Sequence, residues 1–594
     1  MFGYVLDDKL WEETNRNGRN HWDVYIQEMA DWLGLRGAAL SLSDLDRGGK
    51  LIRLRTLIVG QQAGARLSDQ ARANLDAWVR EGGTLIGFAV PGLDHVFGVA
   101  NPTTIKQVPD EYAISGYLDL RPHRFAEGVH SPLRPDQQLI IVSDIRAVEA
   151  AGADEVAQLC DTTGDATDQA AVTWHSYGKG HAGYFAFDMA KTVWLLHQGR
   201  PVSEAPQGFR APSAADQRII SANSIKVAYA DELLYLLQNM IASTGQPFIY
   251  QMPPDGDTVP DALFYWGGDC GGGGPEMIAA SDWMKRRGLP YHVNVHVNLL
   301  PEGWESTLQH LQANGHEVSL HYYAYETKDL NEANLRAQSD TFFERYGFRP
   351  GSSVVGSCHW IGWADTARWL VNCGNSADNS FGAINPLPAY PTRNDAWFGS
   401  GYGTFSPFFF YDDWAHGNRR IELIEQPIVW YELGHHGSAR DRDKGKEIVA
   451  VEEVDAPLDM ALHYHLVMNI FYHPGYIAGF PICRAAITRI LKRIAQRGAH
   501  VLHMGNNELA EWWHVRSRAT LDEVVLARDS LRFRYSCDHH AGMIVKVPLL
   551  ERAVSAATCA GRAVHHRTRV DFGSKWLYVV LPAGSHHVEV KFKE

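Results

Sequence analysis

The sequence has no segment long enough to cross a membrane, no paired-cysteine motif and no excess of positive charge. Its longest apolar runs, such as Leu57–Gly60 and Leu85–Val90, fall far short of the ~20 residues that span a bilayer. The seven cysteines are scattered and odd in number, so we expect free thiols rather than a disulfide framework. With 55 Lys and Arg against 69 Asp and Glu, the net charge of −14 disfavours a nucleic-acid partner.

What is present is a chain long enough for several domains. Its 594 residues predict three or four domains at about 150 residues each, with a hydrophobic content of 45%, which is ordinary for a globular protein. The first nine residues show no cationic segment followed by an apolar one. We therefore expect the chain as written to be cytoplasmic, or secreted if a leader has been removed. A homo-oligomer is an open alternative.

The first 245 residues alternate apolar strands with amphipathic helices. Leu57–Gly60 is predicted to be a buried strand, Leu67–Arg80 a capped helix and Thr84–Val90 the next strand. Such a βαβ unit predicts a parallel sheet with helices on both faces. Further along, Trp174–Phe187 has the pattern of a hairpin and Ala230–Ala242 that of a closing helix.

The segments Leu67–Phe88 and Tyr177–Phe185 resemble the class I glutamine amidotransferase-like domains attached to carbohydrate-active enzymes. This resemblance implies a flavodoxin-like fold for residues 1–245. Amidotransferases place a nucleophilic Cys on a tight strand-to-helix turn, whereas the turn here reads Ala89–Gly92 and Cys160 lies in no glycine elbow. We expect a structural or substrate-guiding domain without amidotransferase activity.

After a Pro- and Gly-rich linker at Gly245–Asp257, the pattern changes twice. Residues 255–515 alternate strands and helices in a way that fits a (β/α) barrel, which is predicted to be distorted or incomplete. Residues 516–594 contain short strands separated by turns, which predicts a small β-sandwich as an accessory domain. The predicted fold class is therefore a multidomain α/β protein.

Reactive side chains in a barrel of this kind belong at the carboxyl ends of strands. Asp269 follows the predicted strand Asp261–Trp266, and His321 ends Glu317–His321. The stretch Ser352–His359 is expected to place His359 at a strand end in the same way. One carboxylate and two imidazoles suit a divalent metal, zinc by preference, with positions left for water and substrate. These three residues are the predicted metal ligands.

A fourth candidate is His473, which follows the hydrophobic strand Val467–Tyr472 near the end of the barrel. A histidine at this rim could protonate a departing amine or alkoxide, because its pKa lies close to neutral pH. A histidine packed against Pro474 is the structural alternative. We predict catalytic roles for Asp269 and His473.

Asp269, the segment Gly315–His321, Arg349-Pro350 and Phe471–Pro474 resemble the polysaccharide deacetylase (NodB-homology) domain. The resemblance implies a distorted (β/α)₇ barrel that removes acetyl groups from sugars, with an aspartate pair and a His-x-x-x-His pair around the metal and a late His as acid. This chain has one Asp beside Gly268 and Cys270, and Tyr325 replaces the second His. The resemblance thus leaves Asp269 as metal ligand, base or both, and His359 as the replacement ligand.

Other rim residues are candidates for contacts with a sugar. Asp378 could hold substrate hydroxyls, and Glu425 is a second predicted substrate contact. Glu425 or Glu432 could supply a carboxylate if Asp269 is fully occupied by metal. Aromatic residues that could line a groove are Trp360, Trp363, Trp397 and Tyr402. The sequence therefore predicts a metal-dependent carbohydrate deacetylase. The alternatives are a glycoside hydrolase that pairs Asp269 with Glu425 or Glu432, and an inactive carbohydrate-binding protein.

Overall fold

The computed structural model describes residues 1–132, 134, 136–204, 211–214, 217–220, 226–269, 274–297, 304–382, 398–433 and 452–593. Within these residues the protein is mixed α/β. It has an eleven-stranded sheet at the N-terminus, a ten-stranded sheet in the middle, and sheets of four and five strands built mainly from the C-terminal residues. No helix in this part of the chain is both long and apolar enough to cross a bilayer.

The elements of the N-terminal region are β1 (Phe2–Val5), α1 (Asp8–Arg16), α2 (Ile26–Leu33), β2 (Gly37–Leu40), α3 (Leu42–Arg47), β3 (Thr56–Val59), α4 (Gln61–Gly64), α5 (Asp69–Arg80), β4 (Thr84–Phe88), α6 (Asp94–Phe97), β5 (Val99–Ile105), β6 (Gly116–Leu120), β7 (Leu139–Ile141), β8 (Ile145–Ala150), β9 (Asp154–Cys160), β10 (Ala166–Tyr177), β11 (Gly180–Phe185), α7 (Met189–Gln198) and α8 (Tyr229–Ala242).

The predicted βαβ unit is present, but the sheet around it is not wholly parallel. The side chain of Ser68 caps α5 by accepting a hydrogen bond from the Ala71 N–H at 3.0 Å, and β3 and β4 flank the helix as expected. Strands β2, β1, β3, β4 and β11 are parallel, whereas β10, β9, β6 and β7 continue the sheet in antiparallel fashion. The turn between β10 and β11 is too short for a parallel crossover, which needs a dozen or more residues.

The middle region contributes β12 (Phe248–Ile249), β13 (Ala262–Asp269), α9 (Gly274–Arg286), β14 (His292–Val295), α10 (Trp304–Ala313), β15 (Glu317–Tyr322), α11 (Glu332–Tyr346), β16 (Ser352–Val355), α12 (Asp365–Asn372), β17 (Ala377–Asp378), β18 (Phe408–Tyr411), β19 (Arg420–Glu425), β20 (Trp430–Tyr431), α13 (Glu452–Tyr464), β21 (Val467–Phe471), α14 (Pro474–Gly479), α15 (Pro481–Arg497), β22 (Val501–Met504) and α16 (Asn506–Arg518).

These strands form a half-barrel. Its order is β18-β19-β17-β16-β15-β14-β13-β21-β20, and β22 pairs with the first half of β13. All of these pairs are parallel except β18 with β19, so the carboxyl ends of the parallel strands meet at one edge. Strand β13 is buried along its whole length, which its apolar sequence explains. Within the described residues the sheet stays open between β18 and β20.

The C-terminal strands are β23 (Thr520–Leu526), β24 (Ser530–Cys537), β25 (Met543–Pro548), β26 (Val554–Cys559), β27 (Arg562–Ala563), β28 (His566–Asp571), β29 (Ser574–Leu581) and β30 (Gly584–Phe592). They form two antiparallel sheets, and the predicted linker takes part in one of them. Strand β12 pairs with Val545 and Lys546 of β25, so the segment after Gly245 is not merely a connection. Six cysteines are free, and Cys270 lies outside the described residues.

Candidate functional site

One cavity of about 180 Å³ lies at the half-barrel edge where the carboxyl ends of the strands meet. Strands β13, β15 and β21 each end at it, so residues far apart in the sequence come together. Its lining consists of Asp269, His321, Tyr325, Ser357, Cys358, Gly382, Ile428, Tyr431, Phe471 and His473. Three of the predicted site residues, Asp269, His321 and His473, are therefore in one place.

Asp269 and His321 are buried polar residues with atoms that lack protein partners. Asp269 Oδ2 lies 4.0 Å from His321 Nε2, while Asp269 Oδ1 and both ring nitrogens of His321 have no hydrogen bond within the described residues. Burial raises the pKa of Asp269 to about 6, an effect that the nearby His473 charge opposes. Burial, and then His296 and His473, hold the pKa of His321 well below its usual value. Buried polar atoms normally have partners, so these groups are suited to a ligand.

His296 and Tyr325 support His321 from one side. The His296 ring stacks on the His321 ring with centroids 3.7 Å apart. His296 Nδ1 lies 2.9 Å from the backbone oxygen of His321, so it carries the proton and donates. The other nitrogen, Nε2, then accepts from the Tyr325 hydroxyl at 3.2 Å. This chain of contacts fixes the neutral tautomer of His296 and the position of the hydroxyl at the cavity wall.

His473 is oriented by a buried carboxylate. Glu432 follows β20, and its Oε1 accepts hydrogen bonds from the backbone N–H of His473, at 3.1 Å, and from Nδ1 of the ring. Burial lowers the pKa of His473, but the charge and hydrogen bond of Glu432 raise it more, so the pKa lies above its usual value. With Nδ1 occupied, Nε2 is the nitrogen that remains for a substrate.

The turn after β16 is strained. Ser357 and Cys358 both have left-handed backbone conformations, with φ of 55° and 56°, and both line the cavity. Gly356 precedes them, and a Cβ there would meet the Tyr325 ring at 2.9 Å. Non-glycine residues in this region cost about 1–3 kcal/mol each and are found most often at functional sites.

His359 is not where the sequence places it. Strand β16 ends at Val355, four residues earlier, and His359 follows the strained turn outside the cavity lining. Its Nδ1 lies 2.7 Å from the backbone oxygen of Ala324. The expectation that His359 occupies the end of a strand was wrong, because the chain turns away after Val355.

The predicted zinc centre can be compared with this geometry. No group of three His, Cys, Asp or Glu side chains within the described ranges is close enough to hold a metal ion. Catalytic zinc sites use three protein ligands, and the structure brings together Asp269 and His321 alone of the three predicted. The described residues therefore do not fit a complete zinc site, and we assign no chemical step to a metal.

Asp378 and Glu425 form a buried pair beside the site. They face each other across β17 and β19 and are hydrogen bonded to each other. Burial raises the pKa of Asp378 to about 7, and burial together with the Asp378 charge raises that of Glu425 well above its usual value. Neither side chain is exposed or lines the cavity. Their predicted contacts with substrate stay predictions.

The predicted groove aromatics lie in the interior. Trp360 stacks on Phe410, with ring centroids 5.3 Å apart, and is fully buried. Trp363 packs against Trp194 of the N-terminal region at 5.6 Å, and its Nε1 donates to the Tyr411 carbonyl oxygen at 2.9 Å. Trp363 therefore belongs to the contact between the N-terminal region and the half-barrel, whereas the ring of Trp360 packs within the half-barrel. Tyr402 is also buried, and Cys270 and Trp397 lie outside the described residues.

Sequence reasoning missed His296 and Tyr431 and gave Tyr325 no role. His296 directly follows β14 in the pattern Val-Asn-Val-His, which is the same strand-end signal that identified His321. That signal could have found His296. Tyr431 ends β20, where the sequence also predicts the end of a strand, so the same signal applies to it.

The turn between β4 and α6 has no nucleophilic side chain at Ala89, the residue that directly follows the strand. Ala89 follows β4 in the left-handed conformation, with φ of 50°, and its N–H donates to the Phe185 oxygen at 2.7 Å. Its methyl side chain has no nucleophilic atom. Cys160 lies at the end of β9, where its sulfur accepts a hydrogen bond from Gln138.

Comparisons with known proteins yield only distant structural similarity. No family model matches the sequence, and no curated protein matches it either. A variant of the β-galactosidase Gan42B from G. stearothermophilus is 17% identical, with a TM-score of 0.23, over 31% of this chain and 27% of that one. A protein from Mycobacterium smegmatis provisionally described as a polysaccharide deacetylase is 15% identical, with a TM-score of 0.31, over 45% of this chain and 94% of that chain.

A variant of the peptidoglycan deacetylase PdaC from Bacillus subtilis is 11% identical, with a TM-score of 0.24, over 43% of this chain and 93% of that chain. The chain thus spans about a quarter of the β-galactosidase and nearly all of the two deacetylase-type structures. At these TM-scores the similarity assigns no function, so the function has to be inferred from the residues of the cavity.

Proposed function

We propose that this protein is a hydrolase that removes acetyl groups from an N- or O-acetylated oligosaccharide or polysaccharide. The observation that carries the proposal is the convergence of Asp269, His321 and His473 on one cavity with buried polar atoms left without partners. Tyr325, Tyr431 and Phe471 supply apolar wall against which an acetyl methyl group and a sugar face could pack. A volume of about 180 Å³ suits the acyl group and its attachment point rather than a whole polymer.

Each polar group has a role that its environment favours. Asp269 is mostly ionised at neutral pH, because its pKa is about 6, and can take a proton from water. The water oxygen attacks the acetyl carbonyl carbon and forms a tetrahedral oxyanion. Neutral His321 can donate an N–H to that oxyanion. Glu432 favours the protonated form of His473, which gives a proton to the departing nitrogen or oxygen. The products are acetate and the free amine or alcohol.

A divalent metal, zinc by preference, stays a prediction from the sequence, and the reaction proposed above does not use one. Asp269 and His321 are the two predicted ligands that the geometry brings near each other.

The glycosidase alternative finds less support. It needs two carboxylates across the cavity, whereas Asp269 is the single carboxylate among the described lining residues. Glu432 is engaged by His473, and Glu425 accepts from the Phe381 N–H at 3.0 Å and bonds to Asp378.

The test is a screen of acetylated oligosaccharides in which acetate and new reducing ends are measured in parallel. We expect acetate without reducing ends, and we expect Asp269→Asn and His473→Asn each to lower the rate by about 10²–10⁴-fold. His416→Asn is the matched control, because His416 forms a similar but exposed pair with Asp413 at 2.9 Å. Reducing ends without acetate, or full activity in both site variants, would refute the proposal.

A further inference from the structure

A second and larger concavity lies at the edge of the N-terminal sheet where β3 and β4 begin, opposite the edge formed by their carboxyl ends. It has a volume of about 1080 Å³ and lies between the start of β3 and β4, the end of α8 and the loops that follow β23 and β25. Its charged lining residues are Arg47, Arg55, Lys179, Arg528, Arg552 and Glu81. We call this concavity the basic groove. None of its lining residues lines the 180 Å³ cavity.

The charge of the basic groove is opposite to that of the whole chain. Five cationic side chains and one carboxylate line it, in a protein whose net charge is −14. Two of the cations are neutralised locally, since Arg47 pairs with Asp44 at 2.9 Å and Lys179 with Glu81 at 3.0 Å. The remaining arginines hold the positive charge of the groove.

Arg55 and Arg552 both line the basic groove, and within the described part of the chain neither forms an ion pair with a carboxylate. The Arg55 guanidinium donates to the backbone oxygens of Thr244 and Leu526, at 3.3 and 3.0 Å. Arg552 Nε donates to the Leu549 oxygen at 3.1 Å, and its guanidinium lies over the Phe592 ring, 4.1 Å from the centroid. Its Nη2 is buried and has no hydrogen-bond partner among the described residues. Burial lowers the pKa of Arg552, and the charge of Arg55 lowers it further. An arginine stays charged in such a place, so an external anion would stabilise the pair.

Apolar side chains border these cations. Ile52 is 85% exposed and Leu550 is 42% exposed, and both line the basic groove together with the half-buried ring of Trp78. Sugars present apolar C–H faces and, when acidic, anionic substituents at intervals. This mixture of exposed apolar surface and separated guanidinium groups fits such a ligand.

We propose that the basic groove binds an acidic oligosaccharide, with carboxylate or sulfate groups held by Arg55 and Arg552. Arginine recognises these planar or multidentate anions through paired N–H donors. The volume exceeds that of sites for a single small ligand, which favours several linked sugars. A nucleic acid duplex carries one charge per ~1.7 Å, and the three arginines of the groove that lack an ion pair within the described ranges are too few to neutralise that density. The proposal does not depend on the chemistry at the 180 Å³ cavity.

Binding of a fluorescently labelled short oligogalacturonate to the full chain tests this directly. We expect saturable binding that weakens as the salt concentration is raised. An unlabelled sulfated oligosaccharide should compete with the labelled ligand, whereas neutral oligogalactose should not. The double variant Arg55→Gln/Arg552→Gln should bind at least about tenfold more weakly. Arg53→Gln is the matched control, since Arg53 is exposed two residues from Arg55 but does not line the groove.

The measurements on the unmodified chain decide the matter even if the double variant does not fold. Absence of binding, or equal competition by neutral oligogalactose, would overturn the proposal. Single-stranded DNA or polyglutamate that binds as tightly as the oligogalacturonate, or more tightly, would also overturn it. An equal loss of affinity in Arg53→Gln and in a folded double variant would do the same.

Discussion

Glu432 accepts two hydrogen bonds from His473, one from its backbone N–H and one from its ring Nδ1. The carboxylate is fully buried, and its own backbone is left-handed with φ of 45°. A buried carboxylate in this place both fixes the imidazole ring and favours its charged form. The relationship therefore makes His473 a pre-oriented proton donor in the proposed reaction.

Replacement of Glu432 tests this relationship. In Glu432→Gln the ring loses its ionic partner, so the pKa of His473 falls and protonated His473 disappears at a lower pH. We expect the high-pH limb of the rate profile to move to lower pH and kcat at neutral pH to fall by roughly 10²-fold. Asp413→Asn, in the exposed pair with His416, should change neither quantity. An unshifted high-pH limb in Glu432→Gln would contradict the role of this pair.

The zinc content of two histidine variants tests whether His359 is a metal ligand, as the sequence predicts, or lies outside the site, as the geometry indicates. If zinc binds, His321→Ala should lose it, because His321 lies beside Asp269 with both ring nitrogens unpartnered in the described structure. The sequence predicts the same loss for His359→Ala. The geometry predicts retention, since His359 lies outside the cavity lining. Elemental analysis of both purified variants decides, and loss of zinc in His359→Ala would mean that the turn after β16 rearranges on binding.

The strand ends of the half-barrel were predictable because their signal is local. Asp269, His321 and His473 each follow or end a hydrophobic stretch, and parallel strands bring such positions to one edge. The same reasoning was wrong for His359, because the strand ends at Val355 and a sharp turn at Ser357 and Cys358 separates it from His359.

Contacts between regions were not predictable from pattern. The apolar character of Trp363 fits a sugar groove and an interior equally well, and only its partners, Trp194 and Tyr411, distinguish them. The same holds for β12, whose two residues within a Pro- and Gly-rich segment gain their strand geometry from β25. Long-range pairing decides such cases, and propensity does not.

Trp363→Ala tests the interior role of this ring. We expect the free energy of unfolding to fall by about 3–5 kcal/mol, because the variant leaves a cavity beside Trp194 and removes the bond to the Tyr411 oxygen. Urea denaturation measures this loss, and KM for an acetylated sugar should not change while the protein stays folded. Trp414→Ala is the control, since Trp414 is 43% exposed and should cost within about 0.5 kcal/mol. A raised KM with unchanged stability would instead favour the groove.

Lys546 offers a test of how the C-terminal strands join the N-terminal region. It is buried on β25, its Nζ donates to Oε1 of Gln238 on α8, and Nζ lies 5.1 Å from the ring centroid of Trp576. Burial lowers its pKa from 10.5 to about 7, although the charge of Asp571 opposes the shift. The folded protein therefore prefers the neutral amine at pH values where the unfolded chain is still protonated.

The sign of the pH dependence comes from this difference in proton binding. Between pH 7 and pH 10.5 the unfolded chain binds more protons at Lys546 than the folded protein does, so the free energy of unfolding rises with pH. Below pH 7 both states are protonated and the contribution is constant. We expect wild type to gain stability relative to Lys546→Met by up to about 1.4 kcal/mol per pH unit in this window, as measured by urea denaturation. Lys575→Met, an exposed lysine on the neighbouring strand β29, should show no such gain. Parallel stability curves for wild type and Lys546→Met would mean that Lys546 keeps its charge in the folded protein.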